Sequence, residues 1–291
     1  MQSITVKAPA KVNLFLKVLS KRKDSYHNIV TLFERISLAD TIKISKIPKG
    51  IIVRSDKPIT LDARENLVYK AAEAVLRSGK VRSGVKIEIK KRIPVASGLG
   101  GGSSDAASTM IGINRLFRLR LNSKALLTVG KRLGADVPFF LLDAPLAIGR
   151  GRGEILEVVR SKVKLWHLII KAGNKTATGD IYRAFDKISK HLTPQGESPK
   201  IQIPSKLRMD YAIAGSMLRN DLEIAVLLKN SVISRISKGL TRLLGNKMSV
   251  SGSGPSLFCL YRTKADAEKA RDTVLRSVSA RSRTGWQIFI A

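Results

Sequence analysis

Residues 84–116 hold an alternating segment, GVKIEIK, then Pro94-Val95-Ala96-Ser97-Gly98-Leu99-Gly100-Gly101-Gly102-Ser103-Ser104-Asp105-Ala106-Ala107, then a further apolar stretch. Strict alternation is the period of a half-buried strand, and apolar residues three and four apart mark a helix. The segment therefore predicts a strand over 84–90, a glycine loop, and a helix from Ser103 to about Leu116. Glycines at 98, 100, 101 and 102 let backbone N–H groups approach a ligand with no Cβ in the way. A helix N-terminus adds unpaired N–H groups and a positive dipole end, so the assembly suits phosphate. Ser103 and Ser104 can cap the helix or reach phosphate or Mg2+. Two other phosphate motifs do not fit. No Lys follows these glycines, as a Walker loop requires, and Gly98-x-Gly100-x-x-Ser103 breaks the dinucleotide fingerprint.

The same patterns extend along the chain. Strands are predicted over 4–18 and 41–54, the second beside the turn-like Pro48-Lys49-Gly50. Asn66 reads as the N-cap of a helix over 66–78, and a further helix covers 123–132 and ends at Gly134. Two strands separated by a charged turn are expected within 154–171. Residues 192–206 carry three prolines and read as a surface excursion. Helical patterns follow near 210–240, then the strand-like MSVSGSGPSLFCLY, a charged helix at 264–278 and a last strand ending in IFI. Helices and strands mixed through both halves predict an α/β or α+β architecture. A length of 291 residues suggests two domains, 1–155 and 156–291.

Composition excludes whole classes. With 44% hydrophobic and 26% charged residues the chain is not disordered, collagen-like or of low complexity. A single cysteine, Cys259, cannot form an internal disulfide, which fits a reducing compartment. No apolar run approaches the roughly 20 residues that span a bilayer. The first residues, MQSITVKAPAKVNLFLKV, alternate like a strand and lack an apolar signal core, so a cytoplasmic location is expected.

Charge is the unusual quantity: 53 Lys and Arg against 22 Asp and Glu give a formal net charge of +31. Such a balance invites an anionic partner, whether nucleic acid, membrane surface or phosphorylated small molecule. The basic residues, however, are spread along the chain, with short clusters at Lys21-Arg22-Lys23, Lys90-Lys91-Arg92 and around Arg281 and Arg283. At 5%, aromatics are too few for a base-stacking platform, which favours a generally basic solvated surface over a nucleic-acid face.

Other chemistry-bearing residues keep two readings. Lys11 lies within an otherwise apolar strand, as an edge or snorkelling lysine or as a functional cation. Asp136, in Gly-Ala-Asp-Val-Pro-Phe-Phe, is a helix N-cap or a catalytic carboxylate with few waters around it. Tyr26-His27 can stack on and hydrogen-bond a ring, or simply form a loop. The loop at 250–256 can close against the phosphate site or merely turn the chain. Histidines at 27, 167 and 191 show no metal-ligand spacing. No Gly-x-Ser-x-Gly elbow supports Ser/His/Asp catalysis.

In combination these segments resemble the GHMP kinase superfamily, in blocks at 9–15, 94–107 and 249–256. More specific marks are APAKVNLFL, DSYHNIVTLFERISLADTI at 24–42, GLGGGSSDAA, GADVPFF, GRGEIL at 151–156 and NDLE at 220–223. The resemblance implies an α+β (α/β) fold of two domains, an N-terminal ATP-binding one and a C-terminal GHMP-kinase one. The active site is expected in the cleft between them, and a left-handed β-α-β crossover in the N-terminal half. The implied reaction is ATP-dependent phosphorylation of the 2-hydroxyl of 4-diphosphocytidyl-2-C-methyl-D-erythritol, a step of non-mevalonate isoprenoid precursor synthesis. Asp136 would be the base and Lys11 the cation beside it. Residues 94 to 104 would wrap the ATP phosphates, and Asn66 would lie near the adenine. Tyr26 and Tyr182 would sandwich the cytosine, His27 would bond its edge, and Asn13 and Thr178 would contact the substrate. Mg2+ would come with the nucleotide and not sit in a protein-only metal site. The partner is a small molecule, with no specific nucleic acid, no membrane and no particular oligomer implied.

Overall fold

The computed structural model describes residues 2–59, 63–161, 164–192 and 209–291. The proline-bearing excursion lies, beyond Leu192, outside the described residues. In chain order the elements begin with β1 (Ser3–Lys21), β2 (His27–Ile47), β3 (Ile51–Ser55), α1 (Leu67–Ser78), β4 (Gly84–Lys90) and α2 (Gly101–Leu116). Next come α3 (Ser123–Leu133), α4 (Val137–Leu141), β5 (Leu146–Arg150), β6 (Ile155–Val158), β7 (Trp166–Lys171) and α5 (Thr178–Leu192). The chain continues with α6 (Tyr211–Met217), β8 (Arg219–Asn220), α7 (Glu223–Lys229) and α8 (Ser231–Leu244). It closes with β9 (Ser249–Val250), β10 (Ser256–Tyr261), α9 (Lys264–Ser277) and β11 (Gln287–Ile290). Among the described residues no helix is long and apolar enough to cross a membrane.

Contacts divide the chain into two units, each discontinuous in sequence. The first comprises Met1–Lys11, Arg35–Val95 and Gly100–Ala144; the second comprises Val12–Glu34, Ala96–Leu99 and Pro145–Ala291.

In the first unit the strands stand in the order β3-β4-β2-β1, with β4 antiparallel to β2 and parallel to β3. Helix α1 connects the parallel pair and makes β3-α1-β4 the unit's β-α-β element. The alternation of GVKIEIK places Val85, Ile87 and Ile89 inward, all buried. Helix α1 presents Val68, Ala71, Ala72, Val75 and Leu76 on one face, the amphipathic spacing that docks a helix on a core. As expected, Asn66 caps it, its Oδ1 accepting from the Val68 N–H at 2.9 Å.

The second unit has strand order β8-β1-β2-β5-β6 and a separate four-stranded sheet, β11-β7-β10-β9. Its core gathers Leu168 and Ile170 of β7, Leu257 and Cys259 of β10, and Ile181 of α5. Cys259 is free and buried there.

Three local expectations change. Helix α2 starts at Gly101, two residues early, because Gly100 adopts φ 72° and its carbonyl already accepts the Ser104 N–H at 2.9 Å. The helical region 210–240 is interrupted by β8, whose Phe15↔Arg219 and Leu16↔Asn220 pairing with β1 is too short to leave a periodic signal. Strand β2 begins at His27, so the histidine stands at a strand start and not in a loop.

Candidate active site

The first unit carries the charged pair. Lys11 sits on β1 with its side chain 5% exposed, and its Nζ lies 3.5 Å from Asp136 Oδ2, on a side chain 32% exposed. Lys11 is thus a buried cation facing a carboxylate, not a snorkelling residue. Asp136 occupies the N-cap position of α4, yet its side chain makes no capping hydrogen bond. Of the two readings of that carboxylate, the capping one fails. Short α4 is held from its other end: the Arg35 guanidinium donates to the carbonyls of Phe139 (3.3 Å), Phe140 (3.4 Å) and Leu142 (2.7 Å). Carbonyls at a helix C-terminus run short of intrahelical donors, and the guanidinium supplies them; the Phe139 carbonyl also accepts the Leu142 N–H at 3.3 Å. A half-exposed carboxylate beside a buried ammonium can accept a proton while the cation balances negative charge.

Next to this pair is the N-terminus of α2. A Cβ on Gly100 would lie 3.0 Å from Phe140 Cζ and 3.1 Å from Lys11 Cγ, so the loop touches both neighbours of Asp136. The N–H groups of Gly101, Gly102 and Ser103 precede the first intrahelical bond, at Ser104 N. Gly102 is exposed, and a Cβ there would meet only Leu67 Cδ1, at 4.0 Å. That contact places the start of α1, and with it Asn66, beside the start of α2. Ser104 Oγ is buried without a hydrogen-bond partner, and Ser103 is half-buried. Among the described residues no three His, Cys, Asp or Glu side chains gather as a metal site.

Under the loop lies a buried ion cluster missed by the sequence reading. Lys91 Nζ donates to Asp40 Oδ2 at 2.5 Å and to Asp105 Oδ2 at 2.7 Å, all three side chains at most 4% exposed. Asp40 Oδ1 accepts from the backbone N–H groups of Arg92 (2.5 Å) and Ile93 (2.8 Å), tying the end of β4 and the entry to the loop. Burial pushes the Asp105 carboxyl up to about 7, with Lys91 opposing and Asp40 adding to the rise. The signal was available: Lys91 continues the inward parity of Val85, Ile87 and Ile89. Its place in Lys90-Lys91-Arg92 made it look like part of a solvated basic cluster.

Pro94 is buried and Val95 exposed. In the second unit the loop continues through Ala96 at φ 55°, buried Ser97 and Leu99, and Gly98 at φ 82°. A Cβ on Gly98 would stand 2.5 Å from the Ser251 carbonyl oxygen, closer than any side chain tolerates. Ser251 Oγ donates to the Gly98 carbonyl (3.2 Å), and the Ser256 N–H donates to the Ser97 carbonyl (3.1 Å). The second small-residue loop therefore closes against residues 97–98. It is itself held by NDLE: Asn220 Nδ2 donates to the carbonyls of Val250 (2.9 Å) and Gly252 (2.7 Å).

The aromatic residues are arranged differently from a simple pair of facing tyrosines. The His27 ring stacks on Tyr182, centroids 4.8 Å apart and planes 19° apart, so one face of Tyr182 is taken. Tyr26 is 56% exposed, with the Arg152 guanidinium 5.1 Å from its ring centroid. Asp186, one turn after Tyr182 on α5, lies 2.7 Å from His27 Nε2 and accepts from Lys21 Nζ at 2.8 Å. Buried Asn13 donates from Nδ2 to Thr31 Oγ1 at 2.7 Å, and Thr178 Oγ1 is 2.9 Å from Ser253 Oγ. Arg152 and Asp186 were also missed. For Asp186 the clue is its i+4 spacing from Tyr182, which puts both on one helix face.

Comparison with known proteins agrees over the full length. Residues 66–144 match the GHMP kinases N terminal domain, and residues 206–280 match the GHMP kinases C terminal family. The 4-diphosphocytidyl-2-C-methyl-D-erythritol kinase of Syntrophus aciditrophicus is 38% identical over 272 residues, covering 94% of each chain. The same-named protein of Pelobacter propionicus is 36% identical over 292 residues, 100% of this chain and 99% of its own. A crystal structure of 4-(cytidine 5'-diphospho)-2C-methyl-D-erythritol kinase superposes with a TM-score of 0.77 at 30% identity, covering 99% of this chain and 98% of that one. A homoserine kinase from Cytophaga hutchinsonii shares the fold, with a TM-score of 0.70 at 21% identity. The chain belongs to the GHMP kinases and, within them, to the family of the 4-diphosphocytidyl-2-C-methyl-D-erythritol kinases.

Proposed function

We propose that the protein transfers the γ-phosphoryl group of ATP to the 2-hydroxyl of 4-diphosphocytidyl-2-C-methyl-D-erythritol, giving ADP and the 2-phosphomonoester. The observation that carries this reading is the Lys11–Asp136 pair beside the N-terminus of α2, with an aspartate that caps nothing. Asp136 takes the hydroxyl proton as the oxygen attacks phosphorus. Lys11 balances charge on the carboxylate and on the attacking oxygen. A base needs only hydrogen-bond reach of its proton, and the remainder of phosphoryl transfer is positioning and charge neutralisation.

Residues 94 to 104 hold the phosphates, chiefly through the N–H groups at the start of α2. Asn66 keeps its Oδ1 for the cap of α1 and approaches the adenine with its amide nitrogen. Mg2+ takes hard oxygen ligands, and the buried, unpartnered Ser104 hydroxyl and the Ser103 hydroxyl are of that kind beside phosphate and water. Those hydroxyls would hold it with the nucleotide, where it would supply charge neutralisation for the transferred group. Tyr26 supplies a ring face to the cytosine, and Tyr182 borders the base on the side where the His27 ring lies against it. His27 reads the base edge, and Asn13 and Thr178 contact the alcohol.

The two family matches fall on either side of residue 155 and support an N-terminal ATP-binding domain, 1–155, and a C-terminal domain, 156–291. An enzyme acting on a small molecule accords with the relatives' names, and a cytoplasmic location is part of the same proposal. The test is ATP turnover with and without the cytidine diphosphate alcohol: turnover that depends on it supports the reading, and turnover of only a simple alcohol refutes it.

A further inference from the structure

The His27 ring is fixed twice over. Its face lies on Tyr182, and its Nε2 meets Asp186 Oδ1 at 2.7 Å. The other carboxylate oxygen, Oδ2, accepts from Lys21 Nζ at 2.8 Å. Burial alone would raise the Asp186 carboxyl, but the hydrogen bonds from Lys21 and His27 outweigh it and hold it below its ordinary value. An ionised carboxylate only accepts, so the Nε2 facing it carries the hydrogen. In a neutral imidazole the second nitrogen is then an acceptor. Among the described residues Nδ1 has no hydrogen-bond partner. Tyr182 and Asp186 stand one helical turn apart on α5, so one element sets both the plane of the ring and its tautomer.

Cytosine and uracil differ on the edge such a nitrogen would read: cytosine presents an amino donor at position 4, uracil a carbonyl acceptor. We infer that Asp186 is a positioning residue that locks His27 as the Nε2–H tautomer, so that Nδ1 accepts from the cytosine amino group and excludes uracil. The inference rests on the proposed reading of His27 as the base-edge contact. A site whose polar groups are matched to one partner strongly rejects the analogue that leaves them unpaired, provided the site cannot re-tautomerise. Asp186 denies it that freedom. An amide in its place can accept or donate, and would let His27 carry its hydrogen on Nδ1 and bond uracil.

Two measurements on the full chain test this. Long-range 1H–15N spectra of the imidazoles, recorded at about pH 8 and assigned with His27→Gln, read the tautomer directly. Steady-state kinetics compare the cytidine diphosphate alcohol with its uridine analogue. The expected result is an Nε2–H tautomer in the wild type and a mixture in Asp186→Asn. The cytidine-to-uridine ratio of kcat/KM should fall at least about tenfold, through KM more than kcat. Lys21→Met, which removes the other partner of Asp186, should change that ratio by no more than about twofold. An Nδ1–H tautomer in the wild type, or an unchanged tautomer in Asp186→Asn, overturns the inference. A wild type that prefers cytidine and an Asp186→Asn enzyme that prefers it equally overturn the role of Asp186 alone. A wild type with no cytidine preference overturns the base-edge reading together with it.

Discussion

The buried ammonium of Lys11 stands 3.5 Å from the Asp136 carboxylate, and no hydrogen bond to helix α4 competes for that carboxylate. Asp136→Asn keeps the shape and leaves Lys11 an oxygen to face, but removes the base. Turnover should fall on the order of 10²–10⁴-fold, the usual contribution of a positioned base, with ATP affinity nearly kept. Single-turnover kinetics with nucleotide titration check this; retention of more than about half of wild-type turnover removes Asp136 from the role.

Gly102 separates ligand approach from folding. At Gly101 a Cβ would press on Ile93 at 3.1 Å and on Lys91 Nζ at 3.4 Å, so a substitution there disturbs the core as well as the loop. At Gly102 the space is open. Gly102→Ala should leave the melting temperature equal or slightly raised, because alanine loses less backbone freedom in a helix. The ATP Kd should nevertheless rise about tenfold or more, as the methyl stands where phosphate approaches backbone. Calorimetry and thermal melts on the same samples check both signs.

How much of this was legible in sequence differs by residue. Asn66, the strand GVKIEIK and the start of the glycine loop are local features, set by capping chemistry and by period, and they stand where the pattern placed them. Strand β8 was not legible, because its two residues are held only by their distant partner β1. Asp40, Lys91 and Asp105 come from three separate segments, and only the fold shows that one ammonium serves two carboxylates. The Lys11–Asp136 pairing was likewise absent from the pattern and came from resemblance, whereas the pairing of His27 with Asp186 came from neither.

The ion cluster gives stability a pH dependence. The Asp105 carboxyl is raised from 3.8 to about 7, so the folded state binds its proton more tightly than the unfolded chain. Its contribution is fully present below about pH 4, is lost as pH rises towards 7, and is flat above that. Asp105→Asn should remove this falling component. Denaturant titrations between pH 4 and 8 should therefore show a flatter profile in the variant; a wild-type contribution that rises over that window contradicts the assignment.

Tyr26 offers an exposed ring next to a strongly basic surface, so stacking must be told apart from general attraction of anions. Tyr26→Ala should raise the KM for the cytidine substrate about tenfold, since stacking contributes roughly 1–3 kcal/mol per base, and the defect should persist at high salt. The KM for ATP should barely move. Replacing Lys21 and Arg22 by Ser should give a smaller effect that fades as salt rises.

The most direct test of the whole account is ADP release measured with 4-diphosphocytidyl-2-C-methyl-D-erythritol, homoserine or mevalonate as acceptor, with 31P spectra of the products. The account predicts ATP turnover that depends on the cytidine diphosphate alcohol, together with a new phosphomonoester signal on its 2-oxygen. Phosphorylation of homoserine or mevalonate with no response to the cytidine alcohol would contradict it, as would salt-dependent nucleic-acid binding with no ATP turnover at all.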